Sequence, residues 1–321
     1  RLHAIAETLG LAAVDAKDET ARFGVNAFKI AGVRYAVHRL GDAIAARGLV
    51  CATAGNHGRA VARVARQKRV PCTVFIPTSA TSDPIEAATR ASRVRAMEED
   101  GATVVEVDGT YEEAVRRAAA FGEGSGGTIV SDTSWDGYDT IPRWIMAGYT
   151  QVFEEALSQW DSRPTIVVVQ GGVGGLVCAA ASWLAWRFGA GRPYLVAAEP
   201  DSAACLLASA VAGRATAIDG PMTTFMAGLR CAEPSPAAWP AIAAGVDAFV
   251  TVPDAAVLEA MSMLKHGPEG ERIDAGPSGA CGLAALAAVA RAPGLGDIRS
   301  AAGWDAAGAR GMVIVTEGHD N

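Results

Sequence analysis

The chain of 321 residues lacks any run of about 18 uncharged apolar residues, so no membrane span is predicted. The run that comes nearest to this length, residues 176–186, ends at Arg187. An excess of basic residues is lacking as well, because 28 Lys and Arg stand against 35 Asp and Glu and the net charge is −7. This acidic balance argues against nucleic-acid binding as the main function.

Paired cysteines are also missing. The six cysteines form no Cys-x-x-Cys motif and stand near no His or Asp at metal-ligand spacing. We therefore predict no metal site and expect reduced thiols packed as small apolar side chains, as in a cytoplasmic protein. No signal peptide is recognisable, and the chain begins at Arg1 within an amphipathic pattern, so we expect that an N-terminal segment is missing.

Short Val- and Ile-rich runs alternate with Ala-rich helical stretches along the chain. Continuous apolar runs bounded by Gly or Pro are typical of parallel strands buried on both faces. Strands are predicted at 49–53, 72–77, 103–107, 128–131, 165–170, 194–199, 248–252 and 312–316. Helices are predicted at 28–47, 58–67, 85–100, 111–121, 141–157, 174–187, 254–265 and 278–291. The alternation predicts an α/β fold with a largely parallel sheet.

The length predicts two domains, and half of the residues are hydrophobic, which is enough for a large core. Internal repeats and low-complexity tails are lacking. A break is expected near residues 140–150. Residues 1–54 plus 141–321 would form the large domain, and residues 55–140 a smaller α/β domain. The Gly-rich stretch 122–127 is expected to be a turn.

Lys29 follows a loop of mostly small residues, Arg-Phe-Gly-Val-Asn-Ala-Phe at 22–28, and begins a predicted helix. A lysine near a helix start is usually a solvated surface group. Here Phe23, Phe28 and Ile30 flank it, and an ammonium among apolar side chains is costly unless it is used. A desolvated amine is more easily deprotonated, which suits the formation of a Schiff base.

A second loop, Gly171-Gly-Val-Gly-Gly175, follows a predicted strand and opens a helix. Such a loop places backbone N–H groups and a helix dipole around a phosphate. The dinucleotide fingerprint G-x-G-x-x-G fails, because counting from Gly172 puts Val177 at its last position. A G-x-x-x-x-G-K-[ST] loop is absent too. A single phosphate fits better than a dinucleotide, and a tight turn without any ligand is the alternative.

Asn56 lies at another predicted strand-to-helix junction, Thr-Ala-Gly-Asn-His-Gly at 53–58. It could be a helix N-cap, or it could contact a ligand. The neighbouring His57 has no partner at ligand spacing, so neither a metal site nor a catalytic triad is predicted there. A lysine suited to a Schiff base, an Asn-containing loop and a phosphate-type loop together predict an enzyme that uses pyridoxal phosphate (PLP).

These segments resemble the fold-type II PLP enzymes of the tryptophan synthase β-like superfamily, which include serine and threonine dehydratases and cysteine synthase. Within that group the resemblance is closest to the diaminopropionate ammonia-lyases. The segments that carry it span nearly the whole chain in the expected order: 17–29, 54–59, 131–138, 141–149, 226–234 and 316–318. Asp-Thr-Ser-Trp at 132–135 and Met-Ala-Gly-Leu at 226–229 point to the lyases specifically.

The resemblance implies two open, twisted, mostly parallel α/β domains with the cofactor in the cleft between them. It also implies roles for single residues. Lys29 would hold PLP as a Schiff base, and Asp132 would bind or assist the leaving β-amino group. Further cofactor contacts would come from Asn56 at the ring oxygen, from Thr316 at the pyridine nitrogen, and at the phosphate from Gly171, Gly172, Gly174 and Gly175. A neutral hydroxyl at the pyridine nitrogen would leave that nitrogen unprotonated, which favours β-elimination over transamination.

The implied reaction is the α,β-elimination of 2,3-diaminopropionate, through an aminoacrylate intermediate, to pyruvate and two molecules of ammonia. The implied protein is a homodimer that acts on a small amino acid. The family commonly has Asp immediately before Gly-Asn-His-Gly, and here Ala54 stands in that position. Because both enantiomers need a base on each face of the cofactor, and Lys29 serves one face, our hypothesis is that the L-enantiomer is the main substrate.

The sequence allows three alternative functions. A serine/threonine dehydratase or a β-replacement synthase would act on another β-substituted amino acid with the same fold. A PLP-binding module without catalysis is disfavoured by the retention of Lys29. An NAD-dependent oxidoreductase is disfavoured because the dinucleotide fingerprint fails.

Overall fold

The computed structural model describes residues 1–44, 47–53, 55–78, 84–304 and 308–319. Its strands are β1 (Ala13–Asp18), β2 (Leu49–Ala52), β3 (Cys72–Pro77), β4 (Thr103–Val107), β5 (Thr128–Ile129), β6 (Ile166–Gln170), β7 (Tyr194–Pro200), β8 (Ala248–Val252) and β9 (Arg310–Val315). Its helices are α1 (His3–Leu9), α2 (Lys29–Leu40), α3 (Asn56–Lys68), α4 (Pro84–Glu99), α5 (Tyr111–Ser125), α6 (Thr140–Gln159), α7 (Gly175–Phe188), α8 (Cys205–Ala212), α9 (Trp239–Gly245), α10 (Asp254–Lys265), α11 (Pro277–Arg291) and α12 (Gly296–Ala301).

By compactness the described chain divides into two units. The large unit comprises residues 1–21 and 149–319, and the small unit comprises residues 22–148. Residues 22–54, which carry Lys29, group with the small unit by this measure. The domain division at residues 54 and 140 stays a prediction.

The large unit is built on a five-stranded sheet in the order β1-β9-β6-β7-β8, and every pairing in it is parallel. The central strands are fully buried runs of Val, Ile and Ala, as in a sheet covered on both faces. Helix α11 is apolar along most of its length and packs into the core of this unit. Within the described residues, no single helix has the length and composition of a membrane span; only a pair bent by 94°, residues 277–291 with 293–301, meets those measures jointly.

The small unit is built on a four-stranded parallel sheet in the order β4-β3-β2-β5. Because the strands are parallel, their carboxyl ends lie at one edge, which is where ligands bind in open α/β sheets. At that edge β2 leads into Asn56 and α3, and β5 leads into Asp132. Two sequence segments that are far apart in the chain are therefore brought to the same edge of one sheet.

The predicted α/β class with parallel sheets is confirmed, and all eight predicted strands are present within two residues at either end. Strand β1 was not predicted. It is a half-exposed edge strand, and its polar residues Asp15, Lys17 and Asp18 interrupt the apolar run that would indicate a strand. Two short helices, α1 and α12, also escaped prediction because each has too few turns to show a helical period.

Two predicted boundaries are wrong. Helix α2 ends at Leu40 instead of Arg47, because Gly41 has a φ of 60° and stops the helix. The turn expected at 122–127 is mostly helical, since α5 continues to Ser125 and ends only where Gly126 adopts a φ of 70°.

A charge cluster around the buried Asp100 connects three segments of the small unit. Asp100, just after α4, is buried and accepts hydrogen bonds from Arg63 Nε at 2.7 and 2.8 Å and from Arg66 Nη1 at 3.1 Å. Arg63 also donates from Nη1 to the carbonyl oxygen of Phe23 at 3.3 Å. The cluster thereby links α3 and the end of α4 to the turn that precedes Lys29.

Replacing Asp100 by Asn should lower the free energy of unfolding by about 1–2 kcal/mol, because the two guanidinium groups lose their buried anionic partner. The measurement is a urea titration, in which the midpoint falls while the slope is unchanged. The matched control is Asp139→Asn, which breaks an exposed pair with Arg143 on one turn of helix and should not move the midpoint. An unchanged midpoint for Asp100→Asn would show that the cluster does not stabilise the unit.

Candidate active site

Lys29 is the first residue of α2, and a tight turn precedes it. In that turn Phe23 and Gly24 have φ values of 50° and 74°, and the N–H of Val25 donates to the carbonyl oxygen of Arg22 at 2.9 Å. A bulky residue such as Phe is uncommon in this left-handed conformation and persists only where its surroundings hold it. The loop that delivers Lys29 therefore has a fixed, strained shape.

The amine of Lys29 lies against an aromatic face. Its Nζ is 5.3 Å from the centroid of the Phe28 ring, and both Phe28 and Ile30 are buried. The prediction that Lys29 has apolar neighbours is therefore confirmed for Phe28 and Ile30. Phe23 differs from the expectation, because it is 45% exposed and its ring faces the guanidinium of Arg34 at 4.2 Å.

The direct partner of Lys29 is Asp132. Lys29 Nζ donates to Asp132 Oδ2 at 2.5 Å, and both side chains are largely buried. Burial by itself would raise the pKa of Asp132, but the Lys29 ammonium and the His57 imidazole outweigh it and hold the pKa of this carboxyl well below its ordinary value. Asp132 is therefore an anion that binds a primary ammonium.

His57 is the residue that sequence reasoning missed in this cluster. Its ring is buried; Nε2 lies 2.8 Å from the carbonyl oxygen of Val130, and Nδ1 lies 3.8 Å from Asp132 Oδ2. Since a carbonyl oxygen can only accept, Nε2 carries a proton and Nδ1 is the nitrogen that faces the carboxylate. Val130 lies 73 positions from His57 along the chain, so no local motif could have signalled the contact.

Asn56 begins α3, but it is not the N-cap. Gly55 occupies the cap position with extended backbone, and Asn56 is the first helical residue. The N-cap alternative for Asn56 is therefore wrong, while a ligand contact by Asn56 stays a prediction. Ala54, which replaces the family's Asp, lies outside the described residues.

In the large unit, the predicted glycine loop joins β6 to α7, and three of its glycines are closely packed against their neighbours. A Cβ would lie 2.5 Å from Leu206 Cδ1 at Gly171, and 2.4 Å from Ile242 Cδ1 at Gly174. Gly174 also has a φ of 91° and is the N-cap of α7. At Gly172, a Cβ would lie 3.2 Å from a backbone oxygen. The loop thus brings bare backbone to the N-terminus of a 14-residue helix, the arrangement that binds phosphate groups.

Glu199, at the end of β7, supports this loop. It is buried and accepts hydrogen bonds from the backbone N–H groups of Leu206 and Leu207, each at 2.8 Å. Burial raises the pKa of Glu199 to about 7, against the opposing effect of these backbone donors. The contact fixes the first turn of α8, and with it the Leu206 side chain that packs against Gly171.

Thr316 is the first residue after β9 and lies next to the glycine loop. Val168 of β6 pairs with Val313 of β9, so Gly171 and Thr316 stand at equivalent positions past the carboxyl ends of adjacent strands. Thr316 is buried, and its Oγ1 accepts a hydrogen bond from Gln170 Nε2 at 2.9 Å. Sequence reasoning missed Gln170, whose Nε2 also lies 3.0 Å from the carbonyl oxygen of Ser278.

The chain is similar to known proteins over most of its length. The diaminopropionate ammonia-lyase of Escherichia coli K12 is 33% identical over 308 residues, which are 89% of this chain and 75% of that protein. The structure of the holo form of the Escherichia coli enzyme, with selenomethionine, has a TM-score of 0.86 at 31% identity and covers 100% of this chain and 84% of that one. The same enzyme with an aminoacrylate-PLP azomethine reaction intermediate gives a TM-score of 0.85 at 30% identity, with coverage of 100% and 83%.

A family model described as pyridoxal-phosphate dependent enzyme matches residues 1–299 of the chain. This match covers the lysine turn, the Asn-containing loop and the glycine loop, and it confirms the resemblance inferred from those segments. The protein belongs to the family of pyridoxal-phosphate-dependent enzymes.

Proposed function

We propose that this protein catalyses the α,β-elimination of 2,3-diaminopropionate, with pyruvate and two molecules of ammonia as products. The observation that carries the proposal is the contact of 2.5 Å between the Lys29 ammonium and the Asp132 carboxylate. A primary ammonium is also the group that the substrate carries on its β-carbon. The ammonia-lyases to which the chain is similar act on the substrate of that name.

The cofactor is pyridoxal phosphate, which supplies an aldehyde that condenses with amines and a ring that withdraws electrons from the substrate Cα. The described residues fit this group. Lys29 would supply the amine, and Asn56 and Thr316 would supply polar groups for the ring. Gly172, Gly174 and Gly175 would offer backbone N–H groups to the phosphate, whereas the N–H of Gly171 already donates to the carbonyl oxygen of Ala198 at 2.7 Å. A Cβ at Gly171 or Gly174 would displace the end of the Leu206 or Ile242 side chain, and the φ of 91° at Gly174 also favours glycine.

Thr316 suits the pyridine nitrogen because of how its hydroxyl is already used. Gln170 Nε2 lies 2.9 Å from Oγ1 and can donate to one of the two lone pairs of that oxygen. The hydroxyl proton makes only a long contact, of 3.5 Å, to the carbonyl oxygen of Ser278. Thr316 is therefore set to donate a hydrogen bond, and a donor that is not an acid leaves a ring nitrogen unprotonated.

With the cofactor bound, the amine of Lys29 would be the group that accepts the proton from the substrate Cα. Asp132 holds the β-ammonium by its charge. Because that group is already protonated, it leaves as neutral ammonia when the C–N bond breaks, with the electron pair of the bond on nitrogen. Asp132 thus needs to stay an anion, and the substrate ammonium would then provide the nearby positive charge that the Lys29 ammonium provides in this structure.

A carboxylate that binds a primary ammonium suits a cationic β-substituent better than the neutral β-hydroxyl of a dehydratase substrate. A β-replacement synthase would need a second substrate as nucleophile, for which no observation speaks. Elimination of a cationic amine is the reaction that an anionic Asp132 supports best.

Two finer parts of the proposal rest on the resemblance. The protein would be a homodimer, and it would work in the cytoplasm, where its six reduced cysteines would persist. Sedimentation of the purified protein measures the first, and fractionation of the source cells measures the second.

Replacing Lys29 by Ala should remove the absorbance band of the lysine-bound cofactor and lower pyruvate formation by at least about 10²–10⁴-fold, because both the anchoring amine and the Cα base are lost. The measurement is an absorbance spectrum of purified protein with added cofactor, together with a pyruvate assay. Lys265→Ala, which changes an exposed side chain at the end of α10, is the matched control and should keep both signals. A band that survives in Lys29→Ala would contradict the role of this lysine.

Replacing Asp132 by Asn should lower kcat/KM for L-2,3-diaminopropionate by at least about 30-fold, because the charge that binds the β-ammonium is lost. L-Serine, whose β-substituent is neutral, should lose less. The measurement is kcat/KM for both substrates with each protein, and Asp139→Asn is the control. Equal losses for the two substrates would contradict charge recognition by Asp132.

The L-enantiomer of 2,3-diaminopropionate should be turned over at least about tenfold faster than the D-enantiomer, because Ala54 supplies no base on the second face of the cofactor. Ala54→Asp should raise the rate with the D-enantiomer and leave the L-rate similar. The measurement is pyruvate formation from each enantiomer under the same conditions. Equal rates in the unchanged protein would rule out this stereochemical hypothesis.

A further inference from the structure

The segment 226–229 is a motif to which the proposed function gives no role. It contains a short turn, Ala227–Leu229. The first and last residues of the segment, Met226 and Leu229, are buried in the core of the large unit, whereas Ala227 and Gly228 are exposed. The ends of the segment are therefore fixed by packing, and its exposed middle is accessible to a ligand.

The turn lies between the glycine loop and the residues that follow β9. A Cβ at Gly172 would lie 3.2 Å from the carbonyl oxygen of Gly228, and a Cβ at Gly228 would lie 3.7 Å from Glu317 Oε2. Gly172 belongs to the loop expected at the phosphate, and Glu317 follows Thr316, the residue expected at the pyridine nitrogen. With the cofactor placed in this way, the turn would border it between its two ends.

The N–H of Gly228 donates out of the turn, to Ser278 Oγ at 3.1 Å. Neighbouring N–H groups donate to carbonyl oxygens within the segment itself: that of Leu229 to Met226, and that of Cys231 to Leu229, each at 2.9 Å. These local hydrogen bonds set the shape of the turn, but they do not fix its exposed middle relative to other elements. The hydrogen bond to Ser278 does so.

Ser278 has a fixed position of its own. It is buried in the first turn of α11, its N–H donates to Glu317 Oε1 at 3.1 Å, and its carbonyl oxygen lies 3.0 Å from Gln170 Nε2. The backbone of Glu317 is held as well, because its carbonyl oxygen accepts a hydrogen bond from the N–H of Gly276 at 3.0 Å. Since Gln170 directly precedes the glycine loop, the hydroxyl oxygen of Ser278 is placed relative to both that loop and the residues after β9.

We propose that Ser278 is a positioning residue for the cofactor: by accepting the hydrogen bond from Gly228, it holds the turn 227–229 where the turn borders the bound cofactor. This inference rests on the proposed function, in which the glycine loop and Thr316 hold pyridoxal phosphate, but it does not depend on which amino acid is the substrate. Ser278 acts through Gly228, and no covalent bond is made or broken at its hydroxyl group.

The energetic effect follows from the exposure of Gly228. If the hydroxyl oxygen is removed, water can accept the hydrogen bond from this exposed N–H, so the turn keeps its local fold but loses the contact that fixes its middle. The bound cofactor then has to order the turn, and this ordering lowers its affinity. One net hydrogen bond corresponds to about a fivefold change in an equilibrium constant.

The first test compares Ser278→Ala with Thr165→Ala, a control that loses a hydrogen bond of the same kind. Thr165 Oγ1 accepts from the N–H of Arg310 at 3.1 Å, at the opposite end of the same sheet. Apoprotein prepared from each holoenzyme is titrated with pyridoxal phosphate, and the dissociation constant is read from the absorbance band. Ser278→Ala should raise this constant by about fivefold, and Thr165→Ala should leave it unchanged. An unchanged constant in Ser278→Ala, or an equal rise in both variants, would overturn the proposal.

A second measurement is the circular dichroism of the bound cofactor, taken at saturating cofactor and expressed per bound molecule. A loss of protein stability alone changes how much cofactor binds, but it does not change this signal. A loosened turn lets the ring adopt more orientations, so the signal per molecule should fall in Ser278→Ala and stay the same in Thr165→Ala. An unchanged signal in Ser278→Ala would show a purely structural role and would refute the positioning role.

The third test uses Gly228→Ala. A Cβ at Gly228 would lie 3.0 Å from Ser278 Oγ, so the added methyl group should disturb the same contact from the other side. Without that oxygen, the nearest listed neighbour is Ser278 Cβ at 3.4 Å, which is an ordinary van der Waals distance. The double variant should therefore bind the cofactor within about twofold of Ser278→Ala alone. Losses that multiply in the double variant would contradict the proposal, because Ser278 would then act on the cofactor by another route.

These measurements separate the inference from the proposed function. If the unchanged holoenzyme makes no pyruvate from L-2,3-diaminopropionate, but Ser278→Ala alone weakens the cofactor, the proposed function fails and the role of Ser278 stands. If pyruvate forms, but Ser278→Ala binds the cofactor as tightly as the unchanged protein, the function stands and the role of Ser278 is refuted.

Discussion

The chemistry of the small unit depends on a carboxylate that stays ionised although it is buried. Removing Asp132 from water favours its neutral form, and only nearby positive charge can reverse that preference. The Lys29 ammonium at 2.5 Å provides it. The strained turn before α2, the aromatic face of Phe28 and the fixed segment after β5 all serve to keep these two groups together. The parallel sheet makes this possible, because it brings the ends of β2 and β5 to one edge.

The large unit presents backbone N–H groups to a ligand from a loop that needs a fixed conformation. Leu206 and Ile242 pack so closely against Gly171 and Gly174 that the glycines cannot be replaced without displacing a core side chain. Glu199 holds the turn that carries Leu206. The flexibility expected of a glycine-rich loop is thereby removed by its neighbours, and a preorganised phosphate site needs such rigidity.

Much of this could be predicted from the sequence, because the informative signals are local. Lys29, the Asn-containing loop and the glycine loop each form a short motif, and the strands are short apolar runs. The contacts that join those motifs are not local. Asp132 is 103 positions from Lys29, and Thr316 is 146 positions from Gln170. No local sequence pattern could therefore have predicted either contact. His57 and Gln170 were missed for that reason, whereas β1 was missed because a polar edge strand resembles a loop.

The order of strands in the large unit has a consequence for synthesis on the ribosome. Strand β9 follows every other described strand in sequence, yet it lies inside the sheet, between β1 and β6. Until β9 emerges, β1 has no neighbour in this sheet and the central β6 has an open edge. Thr316 follows β9 directly. Nascent chains therefore expose the apolar edge of β6 from its synthesis until β9 emerges, and chaperones that shield such edges would matter most in that interval.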